Sequence, residues 1–237
     1  MDCAFSIRYY LGFLGLGQDC DWWLRGIPQD FRVYAPHDRF IAQSTVFLNS
    51  MRKKVISLHE KLYNGDIERL RTPERVARLE VERVVALCLD ATDLKSVLEV
   101  GIGSGLFAEA FVQHGLEVAG VDVNPEMIVA ARRFVPKGDF REATAEVLPY
   151  PDDSFDLVFF GLVLHESDEQ LKVLQEARRV SRHRIRILEW PYQEGEFGPP
   201  LAHRLKPTEI ADMVKMIDFT HLENIPLTHL VLYRLTV

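Results

Sequence analysis

The 237-residue sequence predicts an α/β fold, a doubly wound and mostly parallel sheet that ends in an antiparallel hairpin. Three observations carry this. From residue 96 short β-rich runs (96–100, 117–121, 155–162 and 185–190) alternate with helical stretches (106–114, 125–134, 169–182 and 207–217). Such alternation implies crossovers and helices on both faces of a parallel sheet. The run Val97-Leu-Glu-Val100 leads directly into Gly101, Gly103 and Gly105, with a helical stretch just beyond them. Finally, the strand-like runs 221–227 and 230–237 are joined only by Thr228-His229. Parallel strands need a crossover of a dozen or more residues, so this last pair is expected to be antiparallel.

Before residue 96 the pattern is irregular over 1–40 and helical after it. Residues 1–40 carry Tyr9, Tyr10, Trp22, Trp23, Phe31 and Tyr34 without a clear period, which suits an apolar lid, a dimer contact or core packing. Over 41–63, Ile41, Val46, Phe47, Met51, Val55, Leu58 and Leu62 recur at helical spacing, and Asn64-Gly65 ends the run as a C-cap does. A second helix opens at Thr72-Pro73-Glu74, with Thr as N-cap and Pro in the first turn, and carries Val76, Leu79, Val84, Val85 and Leu87. The expected organisation is an N-terminal helical extension or lid over 1–90 and a ligand-binding core over 91–237.

Composition narrows the class. With 28 basic against 35 acidic residues the net charge is −7, which argues against a nucleic-acid face built to neutralise phosphates. The basic runs 51–54 and 178–186 read as solvated helix faces or helix C-termini. Cys3, Cys20 and Cys88 form neither a metal-spaced pair nor an even disulfide set, so a reducing cytoplasm is the expected setting and no metal is expected. Cys88 lies in an apolar run and reads as a small buried hydrophobe. The apolar stretch 9–17 follows Asp2, lacks a small-residue cleavage site and is far shorter than a spanning helix. Neither a signal peptide nor a membrane span is expected, and the chain is read as a monomer or homodimer.

The glycine turn carries the chemistry. Glycine allows a sharp turn and a close ligand approach, and amides at a helix start can meet a ligand's polar groups. The spacing is G-x-G-x-G, whereas a dinucleotide fingerprint needs its third glycine one position later. Leu106 and Phe107 are also bulky where a pyrophosphate would need room. Glu99 sits two residues before the first glycine in a buried-type strand, where a carboxylate needs a polar partner. An aminopropyl ammonium, reached through ordered water, would supply one. Asp122 stands at the carboxyl end of the next strand, where an acid can hold two ribose hydroxyls, and Asn124-Pro125 then caps and starts a helix.

These residues, with Leu148-Pro-Tyr-Pro-Asp-Asp-Ser-Phe-Asp-Leu-Val158, resemble the class I S-adenosylmethionine-dependent methyltransferases. Within that class the similarity is to the methyltransferase type 11 branch that holds the ubiquinone- and menaquinone-biosynthesis C-methyltransferases. The resemblance implies a Rossmann-like, seven-stranded sheet, with S-adenosyl-L-methionine as methyl donor and S-adenosyl-L-homocysteine as product. It implies Glu99, Gly101 and Gly103 beside the methionine portion, Asp122 on the ribose, and Val123 or Met127 on the adenine. It also sets the loop Thr144-Ala145-Glu146 at the adenine edge, with Gly105 and Gly161 completing the cofactor-binding set. Two departures stand out. Thr144 occupies the place where the family usually has aspartate, and Val180-Ser-Arg-His-Arg184 replaces a proline-glycine-glycine turn.

The methyl acceptor is expected to be a small molecule, aligned for in-line displacement. His165-Glu166 after one strand and Glu189-Trp-Pro-Tyr192 after the next offer candidate bases, with His165 and Glu189 the catalytic candidates. A cleft-shaping role for His165 remains open, as does His203 as a solvated loop residue. The stretch 193–204, stiffened by Pro199-Pro200, is expected to wall the acceptor pocket. A non-catalytic cofactor-binding protein of the same fold is the alternative, and a nicotinamide oxidoreductase is disfavoured by the glycine spacing.

Overall fold

The computed structural model describes residues 67–90, 93–217 and 219–237. The expected helix over 41–63, the aromatic-rich residues 1–40, Cys3, Cys20 and the basic run 51–54 lie outside them. A 3-10 turn, Ile67–Arg71, leads into helices α1 (Pro73–Leu79) and α2 (Val81–Leu89). Thr72 caps α1, its hydroxyl accepting from the Arg75 amide at 3.4 Å, and Pro73 follows in the first turn. The single helix expected from Thr72 is instead two. Glu80 between them is left-handed, at φ 49°, and its carboxylate accepts from the Thr228 amide at 2.7 Å and from Arg83 at 2.6 Å. Leu79, Val84, Val85 and Cys88 are buried, and the Cys88 thiol is pushed up to about 12 by burial.

Seven strands form one sheet: β1 (Ser96–Val100), β2 (Glu117–Asp122), β3 (Asp139–Glu142), β4 (Phe155–Gly161), β5 (Ser181–Glu189), β6 (His221–Pro226) and β7 (Val231–Thr236). Their order is β3-β2-β1-β4-β5-β7-β6. The first five run parallel, and β7 pairs antiparallel with both β5 and β6. The doubly wound sheet with its terminal hairpin is therefore as expected. Helices α3 (Leu106–Gln113), α4 (Pro125–Phe134), α5 (Gln170–Val180) and α6 (Pro207–Met216) complete the core.

Buried parallel strands carry apolar residues on both faces, and this sheet does so. Val97, Leu157, Phe159 and Leu188 face α2, α3 and α4, where Phe107 and Phe111 set their rings 4.9 and 5.4 Å from Phe159. Leu98, Val100, Val158, Phe160, Ile185 and Ile187 face Val173, Leu174 and Ala177 of α5 and Ile210 and Val214 of α6.

Two boundaries differ from the sequence reading. The sequence pattern does not announce β3, because Asp139-Phe-Arg-Glu142 buries only Phe140 at the sheet edge. In addition, α5 ends at Val180 and β5 starts at the next residue, so 180–184 is not a loop. A shift of register between Phe155 and Leu157 absorbs the join, and the Ser181 hydroxyl donates to the Arg184 carbonyl at 2.9 Å. The basic run 178–186 is largely engaged internally. Arg179 binds Glu176, Asp152 and the carbonyls of Leu148 and Tyr150; Arg182 binds Asp156; Arg184 donates to the Leu89 carbonyl. Among the described residues no helix is long and apolar enough to cross a membrane.

Candidate functional site

The glycine turn leaves the carboxyl end of β1, between the ends of β2 and β4. The Gly101 and Ile102 amides both donate to the Val121 carbonyl at 2.9 Å, tying the turn to β2. Gly101, Gly103 and Gly105 all have positive φ, at 71°, 52° and 73°. At Gly101 a side chain would be excluded twice over, since a Cβ there would lie 2.5 Å from Val163 Cγ2.

Asp122 fastens the turn. Its Oδ2 accepts from the Gly103 amide and its Oδ1 from the Asn124 amide, both at 2.9 Å. The cap of α4 is Asn124, whose Oδ1 accepts from Glu126 at 2.9 Å, so Asp122 is left to hold the loop. Burial pushes the Asp122 carboxyl up, against the downward pull of these amides.

Glu99 is 2% exposed, and among the described residues its Oε2 has no hydrogen-bond partner. Burial raises its pKa well above the usual carboxylate range; the Ala108 amide and the more distant Arg71 oppose this, while Asp122 adds to it. Arg71 crosses the turn: it donates to the Ser104 carbonyl at 3.1 Å, pairs with Glu109 and lies 3.5 Å from the centroid of the Phe134 ring. Leu70 Cδ1 is 3.8 Å from where a Gly103 Cβ would stand. The sequence reading missed both residues, because nothing local to 70–71 signals a contact more than thirty positions onward.

The remaining expected cofactor residues end or follow β2, β3 and β4. Val123 is 39% exposed and Met127 is buried. Thr144 is exposed and Ala145 half-buried, in a loop anchored by the Ala143 amide to the Asp122 carbonyl at 3.1 Å. Glu146 is turned to Ser167, whose hydroxyl donates to it at 2.6 Å. Gly161 ends β4, where a Cβ would come 3.2 Å from the Phe159 ring, and Leu162 beyond it is left-handed at φ 66°. Backbone of that kind in a bulky residue persists only when its surroundings hold it, and it gathers at ligand sites.

Beside this centre the 3-10 turn Leu164–Glu166 meets the end of β5. His165 and Glu189, 9% and 2% exposed, are paired: Nδ1 lies 2.8 Å from Glu189 Oε2, and the His165 amide donates to Oε1 at 3.1 Å. The sequence thus set two candidates at the ends of separate strands, and the fold brings them together. Burial pushes Glu166 up to about 7; His165 pulls it down, and Glu189 and Asp122 push it further up. Burial, with help from Glu189, takes the Tyr233 hydroxyl to about 12.

The stretch 191–204 is organised by a side chain the sequence reading did not single out. Buried Arg204 donates to the carbonyls of Pro191, Gln193, Phe197 and Pro199 at 3.2, 2.7, 2.6 and 2.8 Å. A guanidinium has enough donors to gather a whole loop in this way. Phe197 then packs between Arg78 and His229, while His203 is exposed.

The stretch of chain that holds the glycine turn is similar to known methyltransferases. Residues 98–185 match the methyltransferase domain family. The match spans the glycine turn, Asp122 and the 148–158 segment on which the resemblance was drawn. The chain is 37% identical over 97 residues to an uncharacterized methyltransferase, YcgJ, of Bacillus subtilis, covering 39% of this chain and 38% of that one. It is 31% identical over 117 residues to the demethylmenaquinone methyltransferase of Renibacterium salmoninarum, covering 49% of each. The chain thus spans less than half the length of these two relatives. A SAM-dependent methyltransferase from Aquifex aeolicus superposes with a TM-score of 0.64 at 23% identity, over 72% of this chain and 96% of that one, which shows the fold.

Proposed function

We propose that the chain is an S-adenosyl-L-methionine-dependent methyltransferase acting on a small-molecule acceptor. The observation that carries this is the orphaned oxygen of buried Glu99, beside a glycine turn at the carboxyl edge of the sheet. A buried carboxylate with an unused oxygen strongly disfavours folding, and a ligand ammonium would compensate it. In this reading Glu99, Gly101, Gly103 and Gly105 hold the methionine portion and Asp122 the ribose. Val123, Met127, Thr144 and Ala145 surround the adenine, with Gly161 at the floor. The cofactor supplies a methyl group on a positively charged sulfur, which suits the excess of acids around it. The division proposed is an N-terminal extension, 1–90, and a core, 91–237, and within the described part of the extension Leu70 and Arg71 lie across the turn. The setting proposed is cytoplasmic.

Calorimetry tests the cofactor. S-adenosyl-L-homocysteine is expected to bind and NAD not; micromolar NAD binding without a response to S-adenosyl-L-homocysteine overturns the reading. In Asp122→Ala affinity should fall roughly ten- to a hundredfold, about 1.5–3 kcal/mol, because ribose acceptors and the Gly103 anchor are lost together. An unchanged dissociation constant would remove Asp122 from the site.

A further inference from the structure

We propose that Arg71 is the carboxylate-binding residue of the cofactor site: it gives up its pairing with Glu109 and takes the carboxylate of the methionine portion, while Glu99 takes the ammonium. The proposal rests on the cofactor reading above and deepens it with a residue outside the glycine turn. Charge calls for such a residue. The methionine portion is a zwitterion whose ammonium and carboxylate sit on one carbon atom. Glu99 answers the ammonium, but a carboxylate entering beside Glu99 and Asp122 is repelled by both. Burial raises both of these acids, and Asp122 raises Glu99 further; the cation that opposes this at Glu99 is Arg71.

Geometry holds Arg71 at the turn. Leu70, the buried residue of the 3-10 turn Ile67–Arg71, stands 3.8 Å from where a Gly103 Cβ would be. Arg71 follows it, and its Nη1 donates to the Ser104 carbonyl at 3.1 Å. Its Cζ lies 3.5 Å from the centroid of the Phe134 ring, and Thr72, the next residue, is fixed as the N-cap of α1. Backbone on both sides and a stacked ring therefore set the guanidinium against Gly103 and Ser104, in the turn assigned to the methionine portion.

The partner Arg71 now has is one it can leave. The Glu109 side chain is 35% exposed, and an ion pair open to water contributes little, so releasing Glu109 to solvent costs little. A guanidinium carries five N–H donors in a planar fork that matches a carboxylate. It can therefore take the ligand's carboxylate on one edge and keep the Ser104 carbonyl and the Phe134 ring. A lysine has neither the fork nor the plane to stack.

The test is calorimetry on the full chain with S-adenosyl-L-homocysteine and its decarboxylated analogue, which keeps the ammonium and the nucleoside. If neither ligand binds the unaltered protein, the cofactor reading itself falls, and this proposal with it. If both bind equally well, the proposal alone is overturned. S-adenosyl-L-homocysteine should bind roughly tenfold or more tightly than the analogue, because a charge-assisted, forked contact separates them. In Arg71→Met that advantage should shrink to within about twofold while the analogue binds as before, as a double-mutant cycle between side chain and ligand group requires. A strap that only covers the turn would weaken both ligands by one factor; that result, or an advantage that survives in Arg71→Met, overturns the assignment. Glu109→Gln frees Arg71 from its pair and should widen the advantage severalfold. An advantage that stays or shrinks in Glu109→Gln overturns the proposal, and this variant gives the answer where Arg71→Met fails to fold.

Discussion

The two ends of the parallel strands treat their acids in opposite ways. At the amino end, Asp156 accepts from the Lys95 amide at 2.8 Å, the Ser96 amide at 3.1 Å, the Ser96 hydroxyl at 3.2 Å and Arg182 at 2.9 Å. Burial pushes its carboxyl up, but these donors together bring it below the usual range. At the carboxyl end Glu99 has an unpartnered oxygen and a raised carboxyl, and Asp122 and Glu166 are raised with it. An acid that the protein satisfies contributes to folding, and one left short of donors is a candidate for binding a ligand. In the proposed site the same residue type therefore carries structure at one edge and binding at the other.

The largest expected effect breaks the structural side. Asp156→Ala leaves the Lys95 and Ser96 amides and the Arg182 guanidinium without their acceptor, and should cost about 3 kcal/mol of stability. Affinity for S-adenosyl-L-homocysteine should be unchanged. Because the Asp156 pKa is lowered on folding, its contribution is present at neutral pH and lost as pH falls below about 4. Denaturant melts combined with calorimetry check both; a stable variant that loses the ligand would erase the contrast.

Glu99→Gln probes the opposite edge. Replacing a buried carboxylate by an amide should leave stability unchanged or raise it, because the oxygen it removes has no partner among the described residues and the buried charge is lost. S-adenosyl-L-methionine affinity should fall roughly tenfold or more, since a charge-assisted contact to the ammonium becomes neutral. A variant that melts several degrees lower with intact affinity would make Glu99 structural after all.

Much of this edge was legible in the sequence because its residues sit at breaks in pattern. Gly101, Gly103 and Gly105 end an apolar run, and Glu99 interrupts one; Asp122 and Asn124-Pro125 stand where a strand gives way to a helix. What was not legible depends on distant partners. The left-handed Glu80 that splits α1 from α2 has no glycine to announce it, and its carboxylate is held by Thr228, 148 positions away. The junction of α5 and β5 has no breaker, because pairing with Phe155 ends the helix. β3 offers one apolar residue, Phe140, and no alternation to read. Arg204 shows its role only once four carbonyls surround it.

A smaller effect sharpens the comparison through pH. Glu166 titrates near 7 amid Asp122, Glu189 and His165, so it gains charge as pH rises from 6 to 8. A raised carboxyl lowers folding stability as pH climbs from about 4.5 to about 7, the reverse of Asp156. The same charge favours a sulfonium over a neutral thioether. The ratio of S-adenosyl-L-methionine to S-adenosyl-L-homocysteine affinity should therefore rise severalfold across that window, and Glu166→Gln should flatten the rise. A ratio independent of pH in the unaltered protein would place Glu166 away from the sulfur.

The smallest expected effect lies at the adenine edge. Thr144 is exposed at the carboxyl end of β3, in the loop that Ala143 anchors to Asp122, while Glu146 is turned to Ser167 at 2.6 Å. In the proposed site Thr144 accepts from the adenine amino group, and a hydroxyl accepts less strongly than a carboxylate. Thr144→Asp should thus tighten S-adenosyl-L-homocysteine binding by about 1 kcal/mol, a modest gain because the new charge must also be desolvated. The gain should vanish with an analogue that lacks the amino group, which isolates the pair as a double-mutant cycle does. If both ligands weaken by equal factors, Thr144 does not face the base. Glu142, exposed at the end of β3 and paired in register with Asp122, then becomes the adenine partner, because Glu146 would have to leave Ser167 to serve.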